Sequence, residues 1–311
     1  MRAPLLAAAC CLLRLTVAGS GVALQKTLNS RLVARSNSTG WVLNPRQNLT
    51  APGDNLKPGP QLRVLCAGDS ITAGTFSDLD GGDGNGYRLR LRDDLSADRV
   101  VFAGTETAPH GTMIDGFFAA WPGKTIKFIT KSIGPSLRQR PNLILLHAGT
   151  NDMNPDPNVS TEGTDPTEAV KRLGTLVDRM VNTCPDAVVL VAMIINTCVP
   201  AQAPGTQEYQ RLIPAMVQKR FEEGRRVLAV NMTSFPLNQL RDCIHPNNDG
   251  YRLFGDYWAD VVTQVPEEWL QDPAEANNAE EPSSSADKLG VPQWRPVVTL
   301  AAAAVGIFMT W

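Results

Sequence analysis

Residues 64–74 read VLCAGDSITAG. A short apolar run halts at Gly68 and gives way to Asp69 and Ser70. Apolar runs of this length that do not alternate with polar residues mark strands covered on both faces, the habit of parallel sheets. Glycine and aspartate suit the turn that leaves such a strand, and a serine there suits it equally well. On its own, the stretch leaves Ser70 as either turn punctuation or a nucleophile. The rest of the chain decides between them.

Apolar runs rich in Val, Ile and Leu recur at residues 62–67, 100–103, 143–148, 187–195 and 227–230. Helical periodicity fills the gaps, at residues 87–96, 125–137, 167–184, 207–223 and 249–265. In the third of these, Ala169, Val170, Leu173, Leu176, Val177 and Met180 fall on one face. Pro214 is expected to kink the fourth or to start a new turn. Strands alternating with helices predict an α/β fold, a three-layer α/β/α sandwich around a five-stranded parallel sheet, over residues 61–270. Ligands in such sheets bind beyond the carboxyl ends of the strands. Three strand ends carry chemistry: Gly68-Asp69-Ser70, Gly149-Thr150-Asn151-Asp152, and Asp242-Cys243-Ile244-His245 beyond the last strand. The topology brings all three to one edge.

These blocks resemble the SGNH, or GDSL-type, hydrolase superfamily: AGDSITAG, HAGTNDM and DCIHPNNDGY stand in the family's order across residues 62–265. In detail, GYRLRLRDDL, LILLHAGTNDM and IHPNNDGYRLFGDYWADVV are similar to carbohydrate esterase family 3, the acetyl xylan esterase-like branch. The resemblance implies a Ser70 nucleophile, a His245 base and an Asp242 partner. It also implies an oxyanion hole made by the Ser70 N–H, a glycine N–H and the Asn151 side chain. Residues 115–129, DGFFAAWPGKTIKFI, resemble the segment that supplies the glycine. Gly123 is therefore the choice, with Gly116 and Gly104 as fallbacks. Lys124 stands where the family has tryptophan, so the pocket departs from the family pattern. Trp121 and Asp69 are candidate substrate contacts, although capping of the turn is the preferred role for Asp69.

The residue types fit the reaction. An alcohol attacks an ester only when a base removes its proton, and histidine titrates near neutrality. A carboxylate beside the imidazole fixes its tautomer and stabilises the imidazolium. The chain has three histidines. His147 ends a buried strand and reads as a hydrogen-bonded core residue, and His110 sits in a solvated Pro-Gly loop. Asp152 reads as a brace for the loop that carries Asn151. No His/Cys/Asp set has metal-ligand spacing, no Gly-rich stretch has the phosphate-loop pattern, and no cofactor is expected. A net charge of −2 without a basic block points away from nucleic acid. The resemblance implies hydrolysis of short acyl esters, acetyl above all, on a polysaccharide. A lipase or lysophospholipase on the same fold is the alternative enzyme; Phe117, Phe118 and Trp121 are too few to decide for an acyl channel. A cell-surface carbohydrate-binding protein without turnover is the alternative from another class.

The two ends read differently from the middle. Residues 1–20 have the pattern of a secretory signal, and residues 21–60 form an irregular polar arm. Residues 271–296 are a polar linker, and residues 297–311 an apolar tail. Small residues at Ser283, Ser284 and Ser285, then a spacer and the tail, fit a glycosylphosphatidylinositol anchor, the one expected link to a membrane. Fifteen residues rise only about 22 Å as a helix, short of a hydrocarbon core of about 30 Å. Asn37, Asn48, Asn158 and Asn231 begin glycosylation sequons, in keeping with a secreted or surface protein. Beyond the signal, the cysteines are Cys66, Cys184, Cys198 and Cys243. Cys66 lies in a core strand. Cys184 precedes the fourth strand and Cys198 follows it, at the edge where Cys243 lies. A Cys198–Cys243 disulfide is expected.

Overall fold

A computed structural model describes residues 41–46, 61–95 and 100–276. The signal and tail segments, Asn37, Asn48 and Ser283 to Ser285 lie outside the described residues. The five expected strands form: β2 (Leu62–Gly68), β3 (Val100–Ala103), β5 (Leu143–His147), β6 (Val188–Met193) and β7 (Val227–Asn231). The sheet nevertheless has seven strands, not five. The additional two are β1 (Val42–Leu43), from the arm expected to be irregular, and β4 (Ala119–Ala120). Each has two residues, too few to show a period. The order is β1-β7-β6-β5-β2-β3, with β4 paired to the end of β2, and every pairing is parallel.

Both faces are covered, which explains why the strands do not alternate with polar residues. Val64, Cys66, Leu143, Leu145, Leu190 and Leu228 face one core, shared with α2 (Arg88–Asp94) and α7 (Asn248–Thr263), where Tyr251, Phe254 and Trp258 pack. Their neighbours Leu65, Ala67, Ile144, Leu146, Val189 and Ala229 face the other. That core is closed by α3 (Ile126–Ser132), α5 (Pro166–Thr183) and α6 (Ala203–Glu222). The apolar face expected over residues 167–184 is buried, apart from the half-buried Val170. The helix expected over residues 125–137 is two, α3 and α4 (Gly134–Arg138), because Pro135 has no N–H to continue the ladder. In contrast, α6 runs through Pro214 without a new start. Among the described residues no helix is long and apolar enough to cross a membrane.

The register of β2 against β5 pairs Val64 with Leu143 through Gly68 with His147. At its end a Cβ on Gly68 would sit 2.1 Å from the His147 carbonyl oxygen and 2.4 Å from Thr72 Oγ1. Only glycine lets the strands meet there. Gly68→Ala should cost at least about 2 kcal/mol of stability, since backbone must shift to admit the methyl. A urea midpoint equal to wild type would contradict this packing.

Candidate active site

The end of β2 is shaped to present Ser70. Asp69 caps the four-residue helix α1 (Ser70–Ala73), its carboxylate accepting the Ile71 N–H at 3.2 Å. Gly74 ends the helix with φ of 91°, a left-handed conformation that favours glycine. The fully buried Arg88 clamps this short turn from behind. Its Nη1 donates to the carbonyls of Thr72 (2.6 Å) and Ala73 (3.2 Å), and its guanidinium lies 4.2 Å over the Phe118 ring. No sequence argument singled out Arg88; a buried arginine looks like any surface arginine until its surroundings are known.

The loop beyond β7 brings the histidine. His245 Nε2 lies 2.9 Å from Ser70 Oγ, across 175 positions of chain, and His245 Nδ1 lies 2.8 Å from Asp242 Oδ2. Asp242 Oδ1 accepts the backbone N–H groups of Ile244 and His245, so one carboxylate shapes the loop and orients the ring. Burial alone would raise the Asp242 pKa. The His245 N–H and ring bonds, the imidazole charge and the Ile244 N–H outweigh it and hold the carboxyl below its ordinary value. Phe76 packs edge-to-face on the imidazole, with centroids 5.2 Å apart. This contact too was absent from the sequence reading.

The disulfide forms as expected, Cys198 to Cys243, with Cα atoms 4.7 Å apart. Cys243 is left-handed (φ 68°), an unusual state for a residue with a side chain. It is held there from the segment after β6: Thr197 Oγ1 and the Cys198 N–H both donate to the Cys243 carbonyl. Cys66 and Cys184 are buried free thiols.

Asn151 follows β5 and is largely buried. Its Nδ2 donates one hydrogen to the Lys124 carbonyl at 3.0 Å, which leaves the second for another acceptor. That bond draws in the segment carrying Gly123, whose φ of 73° favours glycine. Among the described residues neither the Gly123 N–H nor the Ser70 N–H meets an acceptor. The Gly104 N–H, in contrast, is occupied by Gln139. Gly116 packs against Met113. Asp152 ties the segments together: it accepts the Ile126 N–H at 2.9 Å and pairs with Arg172 at 3.0 Å. Burial raises its pKa, with the Ile126 N–H and Arg172 opposing.

The remaining residues sort by burial. Asp69 is 0% exposed, so it cannot touch a substrate. The substrate-contact assignment is corrected to that of a helix cap, and burial pushes its pKa up to about 7. His147 is buried and accepts the Ile195 N–H, and burial lowers its pKa to about 3, leaving it neutral. His110 is exposed. Trp121 is half-buried and lines a pocket. Asn158 is exposed, and Asn231 bonds to Thr233 and Asn44 at the end of β7. Among the described residues no group of three His, Cys, Asp or Glu side chains could hold a metal ion.

Residues 66–253 match the model of the GDSL-like lipase/acylhydrolase family. No curated protein matches the chain. Among solved structures it is similar to a carbohydrate esterase family 3 protein from Talaromyces cellulolyticus, at 20% identity, covering 66% of this chain and 97% of that one, with a TM-score of 0.54. It is also similar to the family 3 carbohydrate esterase of Clostridium thermocellum, at 22% identity, covering 63% and 92%, with a TM-score of 0.51. An acetyl esterase crystallised with acetate aligns at 20% identity over 66% and 97%, with a TM-score of 0.52. At these identities the likeness is one of fold.

Two outcomes follow from this geometry. The folded Asp69 pKa lies above its ordinary 3.8, so between 3.8 and about 7 the native state binds more protons than the unfolded chain. Asp69 therefore withdraws stability as pH rises through that window. Asp69→Asn keeps the cap acceptor and removes the penalty. Its thermal midpoint should gain on wild type as pH rises from about 4 to 7; a pH-independent difference would contradict this. Reducing the Cys198–Cys243 bond releases a 45-residue loop, about 3 to 4 kcal/mol in the chain-entropy account. As reductant is raised, ester turnover should fall before far-ultraviolet dichroism does. Coincident loss would show that the disulfide holds the whole domain rather than the His245 loop.

Proposed function

The chain belongs to the GDSL-like lipase/acylhydrolase family and is a carboxylic ester hydrolase, and from that premise we propose a serine esterase acting on short acyl esters of carbohydrates. The observation that carries the mechanism is the chain of two hydrogen bonds, Ser70 to His245 at 2.9 Å and His245 to Asp242 at 2.8 Å. His245 Nε2 takes the Ser70 proton as Oγ bonds to the acyl carbon. Asp242 stabilises the imidazolium while remaining ionised. The oxyanion is received by the Ser70 and Gly123 N–H groups and the free hydrogen of Asn151 Nδ2. His245 then gives its proton to the departing alcohol oxygen. A water, deprotonated by the same nitrogen, attacks the acyl-enzyme and restores Ser70.

The carbohydrate esterase neighbours support an acetylated carbohydrate as substrate. The disulfide supports an oxidising compartment outside the cytosol, in keeping with the sequons and the signal-like leader.

Kinetics of point variants test the assignment. Ser70→Ala and His245→Ala should abolish turnover of 4-nitrophenyl acetate while the thermal midpoint stays near wild type. Asn151→Ala should lower kcat about 100-fold, roughly 3 kcal/mol of transition-state stabilisation. Near-normal turnover in His245→Ala would sink the mechanism. Faster hydrolysis of long-chain than of acetyl nitrophenyl esters would favour the lipase alternative.

A further inference from the structure

A pocket of about 330 Å³ opens from the segment that follows Ser70, residues 73–76. Phe76, which packs on the His245 imidazole, forms one wall, and Phe118 and Trp121 form others. In ester hydrolysis the departing alcohol must sit where the histidine can protonate it. Neither Ser70 nor His245 lines the pocket; it meets the site through Phe76, so it can receive the part of the alcohol that reaches past that ring. The volume lies in the range of small-molecule sites, far beyond the needs of an acetyl group.

The lining also has a sign. Asp78, Glu106 and His110 line the pocket; among the described residues no lysine or arginine lines it, and the nearest buried cation, Arg88, lies behind the Phe118 ring. Among the described residues the Glu106 carboxylate accepts only the neighbouring Thr105 hydroxyl, and neither carboxylate has a cationic partner. Two unneutralised carboxylates make poor walls for a hydrocarbon chain, because desolvating them would be uncompensated. Asp78 is exposed and screened by water, whereas Glu106 is half-buried, so the aromatic walls strengthen the field of Glu106 more than that of Asp78. Phe76, Phe118 and Trp121 also line it, and aromatic rings attract an ammonium group that comes over their faces. Among the described residues no third His, Cys, Asp or Glu joins them in a group that could hold a metal ion, and an ammonium group needs no such set.

We propose that this pocket selects esters whose alcohol part is a hydroxylated ring bearing a protonated amine, and that it turns away anionic carriers. The selection rests on the esterase reading above, with the carboxylates accepting from the ammonium and ring hydroxyls while the acyl group lies over Ser70.

Matched O-acetyl esters of glucosamine, glucose and glucuronic acid test this, as cationic, neutral and anionic members of one series. The wild-type kcat/KM should fall in that order, by at least tenfold from first to last. The readout is the ratio of the cationic to the anionic ester, which cancels any general loss of turnover. In the double variant Asp78→Asn, Glu106→Gln that ratio should drop at least fivefold. Should the variant fail to fold, the wild-type ratio should shrink as salt rises from about 20 mM to 500 mM, since the effect is charge–charge. A flat or reversed order in wild type overturns the proposal, as does a ratio untouched by the double variant or, where that variant does not fold, by salt. Turnover of 4-nitrophenyl acetate with no charge order overturns the pocket alone. No turnover of any ester overturns the esterase reading with it.

Discussion

The active edge depends on the pairing of β2 with β5. Both strands are parallel, so both deliver their carboxyl ends to one place, and the register closes on Gly68 opposite His147. Ser70 stands two residues beyond one end and Asn151 four beyond the other. The third segment is added by short links. The Trp121 N–H donates to the Gly68 carbonyl, Asn151 to the Lys124 carbonyl, and the Ile126 N–H to Asp152. The candidate oxyanion donors are thus set by backbone geometry at the edge of a close-packed sheet, where small displacements are costly.

The histidine arm is built on the opposite principle. Residues 241–245 have no regular structure, and their position comes from separate restraints. The disulfide and Thr197 hold Cys243, Asp242 folds the loop onto itself, Arg241 pairs with Asp80, and Phe76 backs the imidazole. The two aspartates of the site show what environment does to one side chain. Asp242 is partly exposed and hydrogen-bonded by His245, which keeps its pKa low. Asp69 is sealed from water and titrates near 7. One suits permanent charge beside an imidazolium; the other suits a structural cap.

The parallel sheet was legible because strands such as LILLH and VVLVAM are apolar on both faces. The juxtaposition of Ser70, Asn151, Asp242 and His245 was legible because parallel strands end on one side, and the Cys198–Cys243 pairing followed from the same topology. What stayed hidden had no periodic signature. Ala119–Ala120 and Val42–Leu43 become strands only because an edge is there to pair with. Asp69 could be read as a substrate contact because a sequence does not show that its carboxylate is buried at the start of α1. Arg88, Phe76 and the acidic pocket are products of packing among segments distant in sequence, and no local motif announces them.

The central claim is that Ser70 becomes acylated. Acid quenching during turnover of an acetyl ester, followed by mass spectrometry of the proteolysed protein, reads this directly. The account predicts one added acetyl group on the peptide containing residues 64–74, located on Ser70 and lost on further incubation. Acetyl found on another residue, or none on Ser70 while the wild-type protein is still cleaving the ester, would contradict it.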